Sequence, residues 1–267
     1  MVIRQLLRDA PCNRLDAEVL LAHVLGISRE KLLFYFNDTI SATQAEAFSS
    51  LAQKRAAGCP VAQLIGEREF YSLSFFVTKD TLTPRPDTET LVEWAISRAE
   101  GCRVLDLCCG TGCIGISVAK NAAVSALTLA DISTPALAVA AKNAKRHHVV
   151  ANLAALDILK EPITGTFDMI LSNPPYIETA VIPTLAPDVR LYEPHIALDG
   201  GADGLLFYPA IIEKAYVALS PRGLLGLEIG YTQAEAVEAL MMPFFGEISV
   251  LFDLSGNPRA VVGRKSE

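Results

Sequence analysis

From Arg103 onward the sequence predicts an α/β fold, a mostly parallel, doubly wound sheet with helices on both faces. Three observations predict it. Short apolar runs closed by turn residues alternate with longer stretches of helical period. Two of the runs end on single carboxylates, Asp131 and Asp157. A glycine-bearing loop, Cys108-Cys109-Gly110-Thr111-Gly112, joins the first run to the first helix. In such a sheet, ligands collect beyond the carboxyl ends of the strands.

Residues 1–66 read as helical. Leu15, Val19, Leu20, Val24 and Leu25 form an apolar stripe that stops at Gly26. Ser41 and Gln44 fit a capping box, followed by Ala45, Phe48, Leu51, Ala52 and Arg55 at helical spacing, and Gly58 and Pro60 close that helix. No residue here carries chemistry, so the segment is either a partner-recognition domain or a structural cap. Glu69 to Val77 is aromatic and β-rich around Ser72, a short hairpin within a linker over 67–83. Thr83-Pro84-Arg85-Pro86-Asp87-Thr88-Glu89 is stiffened by two prolines, and Asp87 or Thr88 is placed to cap the helix carrying Leu91, Val92 and Ala95. The second domain takes residues 84–267. Its strands are expected at Val104–Leu107, Ala126–Ala130, Val150–Leu156, Asp168–Ser172 and Leu224–Ile229, with Ile248–Leu254 and Arg259–Val262 as a closing pair. Its helices are expected at Ile114–Lys120, Pro135–Arg146 and Pro209–Leu219, with one more before the closing pair.

The 267 residues suffice for one large or two modest domains, and 51% hydrophobic content with 20% charge describes a globular chain with a sizeable core. A net charge of −7 argues against broad binding to nucleic-acid backbones. The compact basic cluster Lys142, Lys145, Arg146, His147 and His148 reads as a solvated helix face. No uncharged apolar run approaches the roughly 18 residues of a membrane span. Arg4 and Arg8 near the N-terminus precede no apolar signal core, so the expectation is a cytoplasmic protein without a membrane partner. Cys108, Cys109 and Cys113 stand close enough to share a metal ion, but the spacing is not that of a zinc knuckle and no histidine follows. Free thiols in a reducing compartment and no metal are expected.

Two stretches carry the chemistry. In the loop after the first strand, Gly110 and Gly112 let a ligand approach the backbone beside a helix N-terminus, and Asp131, about 20 residues on, can accept both hydroxyls of a ribose. The dinucleotide fingerprint G-x-G-x-x-G and a Walker lysine are both absent. Asp157, or its neighbour Ile158, either borders an adenine or serves as a turn carboxylate. The other stretch is Asn173-Pro174-Pro175-Tyr176, which closes the Asp168–Ser172 strand. Two prolines fix the backbone. Asn173 offers one carbonyl oxygen and two N–H donors, the Pro174 carbonyl adds an acceptor, and Tyr176 supplies a flat face with a polar tip. Together they make a slot for a planar group bearing an NH2, such as a carboxamide or an adenine.

On these residues the chain resembles class I S-adenosylmethionine-dependent methyltransferases, and within them the HemK/PrmC family, the peptide chain release factor glutamine N5-methyltransferases. Arg85-Pro86-Asp87-Thr88-Glu89 is close to the family's R-P-E-T-E, and the segment from Glu193-Pro194-His195 through Asp199-Gly200-Gly201-Ala202-Asp203-Gly204-Leu205 and the stretch Glu228-Ile229-Gly230 with Gln233 carry the likeness further. The resemblance implies a seven-stranded catalytic sheet, a helical substrate-recognition domain and a hairpin linker. It implies S-adenosyl-L-methionine as cofactor, with S-adenosyl-L-homocysteine as product, held by Cys108, Cys109, Gly110, Thr111, Gly112, Asp131, Asp157, Ile158 and Asn173. It implies class 1 release factors as partners, their Gly-Gly-Gln glutamine lying on Asn173, Pro174, Pro175 and Tyr176, with Asn173, Pro174 and Tyr176 catalytic. Arg85 and Glu89 either frame the entrance or form a salt-linked linker, and His195 reads as local structure. One departure stands out: the family's D-L-G-T-G-x-G has Cys108 and Cys109 in place of its first glycine and threonine. Ile158 likewise stands where an aromatic is common, so apolar cover survives there without ring stacking. Two enzymes would share the slot, a glutamine methyltransferase of a ribosomal protein and an N6-adenine methyltransferase of nucleic acid. The negative charge counts against the second, and Arg85–Glu89 against the first. A non-enzymatic cofactor sensor is disfavoured by the intact slot.

Overall fold

The computed structural model describes residues 1–266, which divide into two compact units. The first comprises residues 1–67 together with Ala186–Tyr192. The second takes Arg68–Leu185 and the described chain from Glu193 on.

The first unit is helical, with α1 (Ile3–Arg8), α2 (Arg14–Leu25), α3 (Arg29–Leu32), α4 (Ala42–Ala56) and α5 (Val61–Ile65). Ile3, Leu7, Leu20, Leu21, Leu32 and Phe48 form its core. The buried stripe of α2 is Ala17, Leu20 and Leu21, whereas Leu15 is 54% exposed. The i, i+3, i+4 spacing from Ala17 wins because it centres the face on Leu20 and Leu21, and Leu15 falls outside that arc. Gly26 stops α2 in the left-handed region (φ 65°), and the Ser41–Gln44 capping box opens α4.

A two-stranded hairpin, β1 (Glu67–Phe70) and β2 (Leu73–Phe76), follows, and all of it from Arg68 on belongs to the second unit. Tyr71 and Ser72 both take positive φ (49° and 60°), the twist a two-residue hairpin turn demands. α6 (Glu89–Ile96) follows a 3-10 turn over Pro86–Thr88 and has no side-chain cap. The expected cap is therefore absent: the helix is entered from an already helical turn, and Asp87 instead pairs with Arg259 at 2.9 Å.

The sheet follows, with β3 (Arg103–Leu107), α7 (Cys113–Asn121), β4 (Ala126–Asp131), α8 (Thr134–Arg146), β5 (Asn152–Ala155) and β6 (Phe167–Ser172). After the short α9 (Pro187–Arg190) of the first unit come α10 (Phe207–Ala218), β7 (Leu219–Glu228), α11 (Ala234–Met241), β8 (Phe245–Phe252) and β9 (Pro258–Lys265). Seven strands lie in the order β5-β4-β3-β6-β7-β9-β8, parallel through β7, with β9 antiparallel to both of its neighbours. β5 is shorter than the Val150–Leu156 run suggested, because it is an edge strand paired only with β4. β7 is longer: it runs through Pro221-Arg222-Gly223, with Arg222 taking a φ of 61° and the β6–β7 register slipping there.

Period-two alternation sends side chains to two cores. Val104, Met169, Leu171 and Val262 meet α6, α7 and α8 on one face. Leu105, Leu107, Ile170, Leu225 and Val261 meet α10 and α11 on the other. The central strands β3, β6 and β7 are thereby buried on both faces, which holds their carboxyl ends rigid.

Candidate active site

The carboxyl ends of β3, β4 and β6 open onto one cavity of about 350 Å³. Cys108, Cys109, Gly110 and Thr111 reach it from β3, Asp131 from β4, Asp157 and Ile158 from the segment after β5, and Asn173 and Pro175 from β6. Of the residues expected at the cofactor site, Gly112 alone is not on its wall. A Cβ there would lie 2.9 Å from Ile116 Cδ1 and 3.2 Å from Leu129 Cδ1, so this glycine brings the start of α7 against β4. Gly110 behaves differently: φ is 53°, and a Cβ would meet nothing within 4 Å.

The loop's shape is set by hydrogen bonds. Gly112 N–H donates to the Cys109 carbonyl at 2.7 Å and Cys109 N–H to the Ala130 carbonyl at 3.0 Å. Below it, the buried Asp106 accepts from Gly115 N–H at 2.8 Å through Oδ2, while its Oδ1 has no partner. Burial pushes that carboxyl up to about 7. Cys108 adopts a φ of 54° without being glycine, a conformation that costs about 1 kcal/mol or more. Cys108 and Cys113 are pushed up to about 12 by burial, and Cys109 well above its ordinary value, so all three are neutral thiols. All six cysteines are free, and among the described residues no group of three or more potential ligands is arranged to hold a metal.

Asp131 is the acidic partner of this loop. Oδ2 accepts from Gly110 N–H and Oδ1 from Ser133 N–H, both at 2.9 Å. Each oxygen keeps a second lone pair for a hydroxyl. Burial raises this carboxyl above the ordinary range, opposed by those same backbone N–H groups. Asp157 serves as a turn carboxylate, accepting from Leu159 N–H at 3.1 Å and pairing with Lys160 at 2.8 Å, and it also lines the cavity. Ile158 is buried beside it, its carbonyl gripped by Lys214.

In the Asn173–Tyr176 turn, Asn173 and Pro175 face the cavity, whereas Pro174 is buried and Tyr176 half-buried, and neither is on this wall. The Tyr176 hydroxyl reaches Glu228 Oε1 at 3.5 Å, and burial pushes the phenol well above its ordinary value by disfavouring its anion, so it stays protonated. Around Tyr176 the chain forms a close belt. A Cβ on Gly200 would sit 2.7 Å from Tyr176 Cα and 2.9 Å from the Pro175 carbonyl oxygen, and one on Gly204 2.5 Å from the Tyr176 carbonyl oxygen. Arg85 lines the cavity and clamps the buried Glu193 at 2.8 and 2.9 Å. Glu89 accepts from Tyr71 N–H at 2.9 Å, so it fastens the hairpin turn. His195 is exposed, 3.9 Å from Asp199.

Sequence reasoning passed over Ile132, Leu82 and Phe207, which add apolar wall to the cavity, and Asn143, which lies behind it. Ile132 left a signal, an apolar residue directly after a strand-end carboxylate where a turn calls for polar ones.

Residues 2–66 match the family described as the PrmC N-terminal domain, and residues 86–186 that described as the methyltransferase small domain. A release factor glutamine methyltransferase of Cereibacter sphaeroides is 42% identical over 93% of this chain and 90% of its own. One of Agrobacterium fabrum is 38% identical over 94% and 90%. Among solved structures, a methyltransferase from Pyrococcus furiosus superposes with a TM-score of 0.58 at 17% identity, covering 82% of this chain and 100% of the other. That likeness concerns the fold.

Proposed function

The chain belongs to the release factor glutamine methyltransferases, and from that premise we propose how its residues divide the work. The enzyme transfers a methyl group from S-adenosylmethionine to the side-chain amide nitrogen of a release-factor glutamine, releasing S-adenosylhomocysteine. The acceptor is the glutamine of the Gly-Gly-Gln motif of class 1 release factors.

One observation carries the assignment of the site: a single cavity is lined at once by the loop 108–111, by Asp131 and by Asn173. The lining suits the cofactor. Asp131 retains lone pairs for two ribose hydroxyls, the loop leaves open space at Gly110, and Ile132, Leu156 and Ile158 offer an apolar wall for adenine. When bound, S-adenosylmethionine supplies an electrophilic methyl carbon on a sulfonium sulfur.

An amide nitrogen is a poor nucleophile, because its lone pair is delocalised into the carbonyl. Asn173 Oδ1 and the Pro174 carbonyl accept the two amide N–H groups of the substrate, aim the nitrogen, and stabilise the positive charge it gains. Tyr176 sets the shape of the turn that presents both acceptors and packs on the planar amide. Once methylated and cationic, the nitrogen releases its proton to water, so the step requires no histidine or carboxylate base. The N-terminal unit, residues 1–66, recognises the protein substrate, and residues 67–83 link it to the catalytic domain, residues 84–267. The compartment is cytoplasmic, where six free thiols persist. A net charge of −7 supports a protein rather than a nucleic-acid substrate.

Radiolabelled methyl transfer tests this reading against three substrates, a class 1 release factor, a ribosomal protein and duplex DNA. Label on the release factor is expected. Label on DNA alone would replace the assignment.

A further inference from the structure

Asn143 stands near the C-terminal end of α8, fully buried, and the reaction makes no direct use of it. All three of its side-chain hydrogen bonds go to backbone. Oδ1 accepts from Phe76 N–H at 2.7 Å, while Nδ2 donates to the Phe76 carbonyl at 3.1 Å and to the Thr111 carbonyl at 2.9 Å. Phe76 ends β2, so the carboxamide supplies the pair of bonds a neighbouring strand would give. The same face of α8 holds the hairpin twice more. Arg146 lies 4.4 Å from the centre of the Phe76 ring, and His147 Nε2 is 2.8 Å from the Ser74 carbonyl, with its ring 5.0 Å from that of Phe75. Asn143 also reaches the loop between β3 and α7.

Both segments it joins build the cavity. Thr111 lines it directly, and the chain leaving β2 lines it with Thr81, Leu82 and Pro84.

We propose that Asn143 is a positioning residue for the cofactor, holding the loop at Thr111 and the hairpin-derived wall at one fixed separation. The proposal rests on reading this cavity as the S-adenosylmethionine site. Without the carboxamide, the Phe76 N–H, the Phe76 carbonyl and the Thr111 carbonyl each lose a buried partner. Parting of wall and loop admits water to those groups and widens the cavity. The amide slot at Asn173 follows β6, a different strand, and keeps its shape. The loss therefore falls on ground-state cofactor binding, which raises KM and leaves kcat.

Titration calorimetry with S-adenosylhomocysteine and steady-state kinetics at saturating release factor test this on Asn143→Ala and on Asn143→Asp. The second keeps the shape and the acceptor for Phe76 but lacks both donors. Kd for the product and KM for the cofactor are expected to rise about tenfold in each, with kcat within threefold of wild type. A merely structural role would leave Kd and KM of the folded fraction unchanged and lower kcat alone, which overturns the proposal. Amide hydrogen exchange in the wild-type protein gives a second reading that no variant's folding affects. Saturating S-adenosylhomocysteine is expected to slow exchange across Leu73–Val77, since the coupling is reciprocal. Unaltered exchange there would overturn the proposal as well. Failure of the wild-type protein to bind S-adenosylhomocysteine at all is a different result, because it removes the reading of the cavity itself.

Discussion

Gln233 donates its side-chain amide to the Tyr176 carbonyl at 3.0 Å and to the Gly204 carbonyl at 3.2 Å, and accepts from Gly230 N–H at 2.9 Å. One carboxamide at the start of α11 thus joins the exit of the Asn-Pro-Pro-Tyr turn, the glycine belt around it and the end of β7. The two prolines stiffen the turn from within, and Gln233 fixes it from outside.

Substituting Gln233→Ala leaves two carbonyls without their donor and lets the turn drift. Displacements of about 1 Å near reacting atoms cost up to about 100-fold in rate. A fall in kcat of at least tenfold is expected, with Kd for S-adenosylhomocysteine within about twofold of wild type. Unchanged kcat would show that the prolines alone hold the turn.

Asn173 and Asp131 line the same cavity, yet their substitutions are expected to separate. Asn173→Ala removes an acceptor for the amide N–H, so kcat falls at least 100-fold while product affinity stays within about threefold. Asp131→Ala removes a charged acceptor for hydroxyls, where each such bond contributes about 1.5–3 kcal/mol, so Kd rises at least tenfold. Burial raises the Asp131 carboxyl, so product affinity of the wild-type protein is also expected to weaken as pH falls through that raised value. Calorimetry beside single-turnover kinetics reads both. Equal effects of the two variants on Kd would dissolve the division of labour.

How much of this could be read in the sequence follows from how local each signal is. The strands at Val104–Leu107 and Asp168–Ser172 are short apolar runs with turn residues beyond them, and both appear where expected. That Asp131 and Asn173 reach one cavity was legible because strand ends in this architecture open onto it. The absent cap at Asp87 or Thr88 was not legible, since the pull on Asp87 comes from Arg259, far along the chain. The place of Gly112 on a packing contact, and of Asn143 beneath the loop, depends on α8 crossing both the loop and the hairpin. No spacing within α8 announces that crossing.

The cysteines that depart from the family loop should be chemically quiet. Burial keeps Cys108 and Cys113 protonated to about 12 and Cys109 well above its ordinary value, and the thiolate is the reactive form. Iodoacetamide at pH 7.5, followed by mass spectrometry, is expected to leave all three unmodified in the native protein. Cys12, Cys59 and Cys102, only partly buried, are expected to label slowly and first. Rapid alkylation of Cys108 would show an open loop.

Glu228 makes the thermal stability depend on pH in an unusual direction. It is buried, Oε1 lies 3.5 Å from the Tyr176 hydroxyl, Oε2 has no partner, and burial pushes the carboxyl up to about 7. Asp106 behaves likewise, also to about 7. In the unfolded chain both ionise near pH 4. Between about 4 and about 7 the folded protein therefore binds more protons than the unfolded one, and stability falls as pH rises through that window before levelling off. Asp253 acts oppositely: Arg259 holds it down at about 2, so its contribution is lost only as pH drops below about 4. Calorimetric scans are expected to give a higher Tm at pH 5.5 than at pH 8. Glu228→Gln, which has no proton to lose, should narrow that gap. A full gap retained by Glu228→Gln would mean that Glu228 is already ionised in the folded protein, held by the Arg259 charge and the Thr88 hydroxyl.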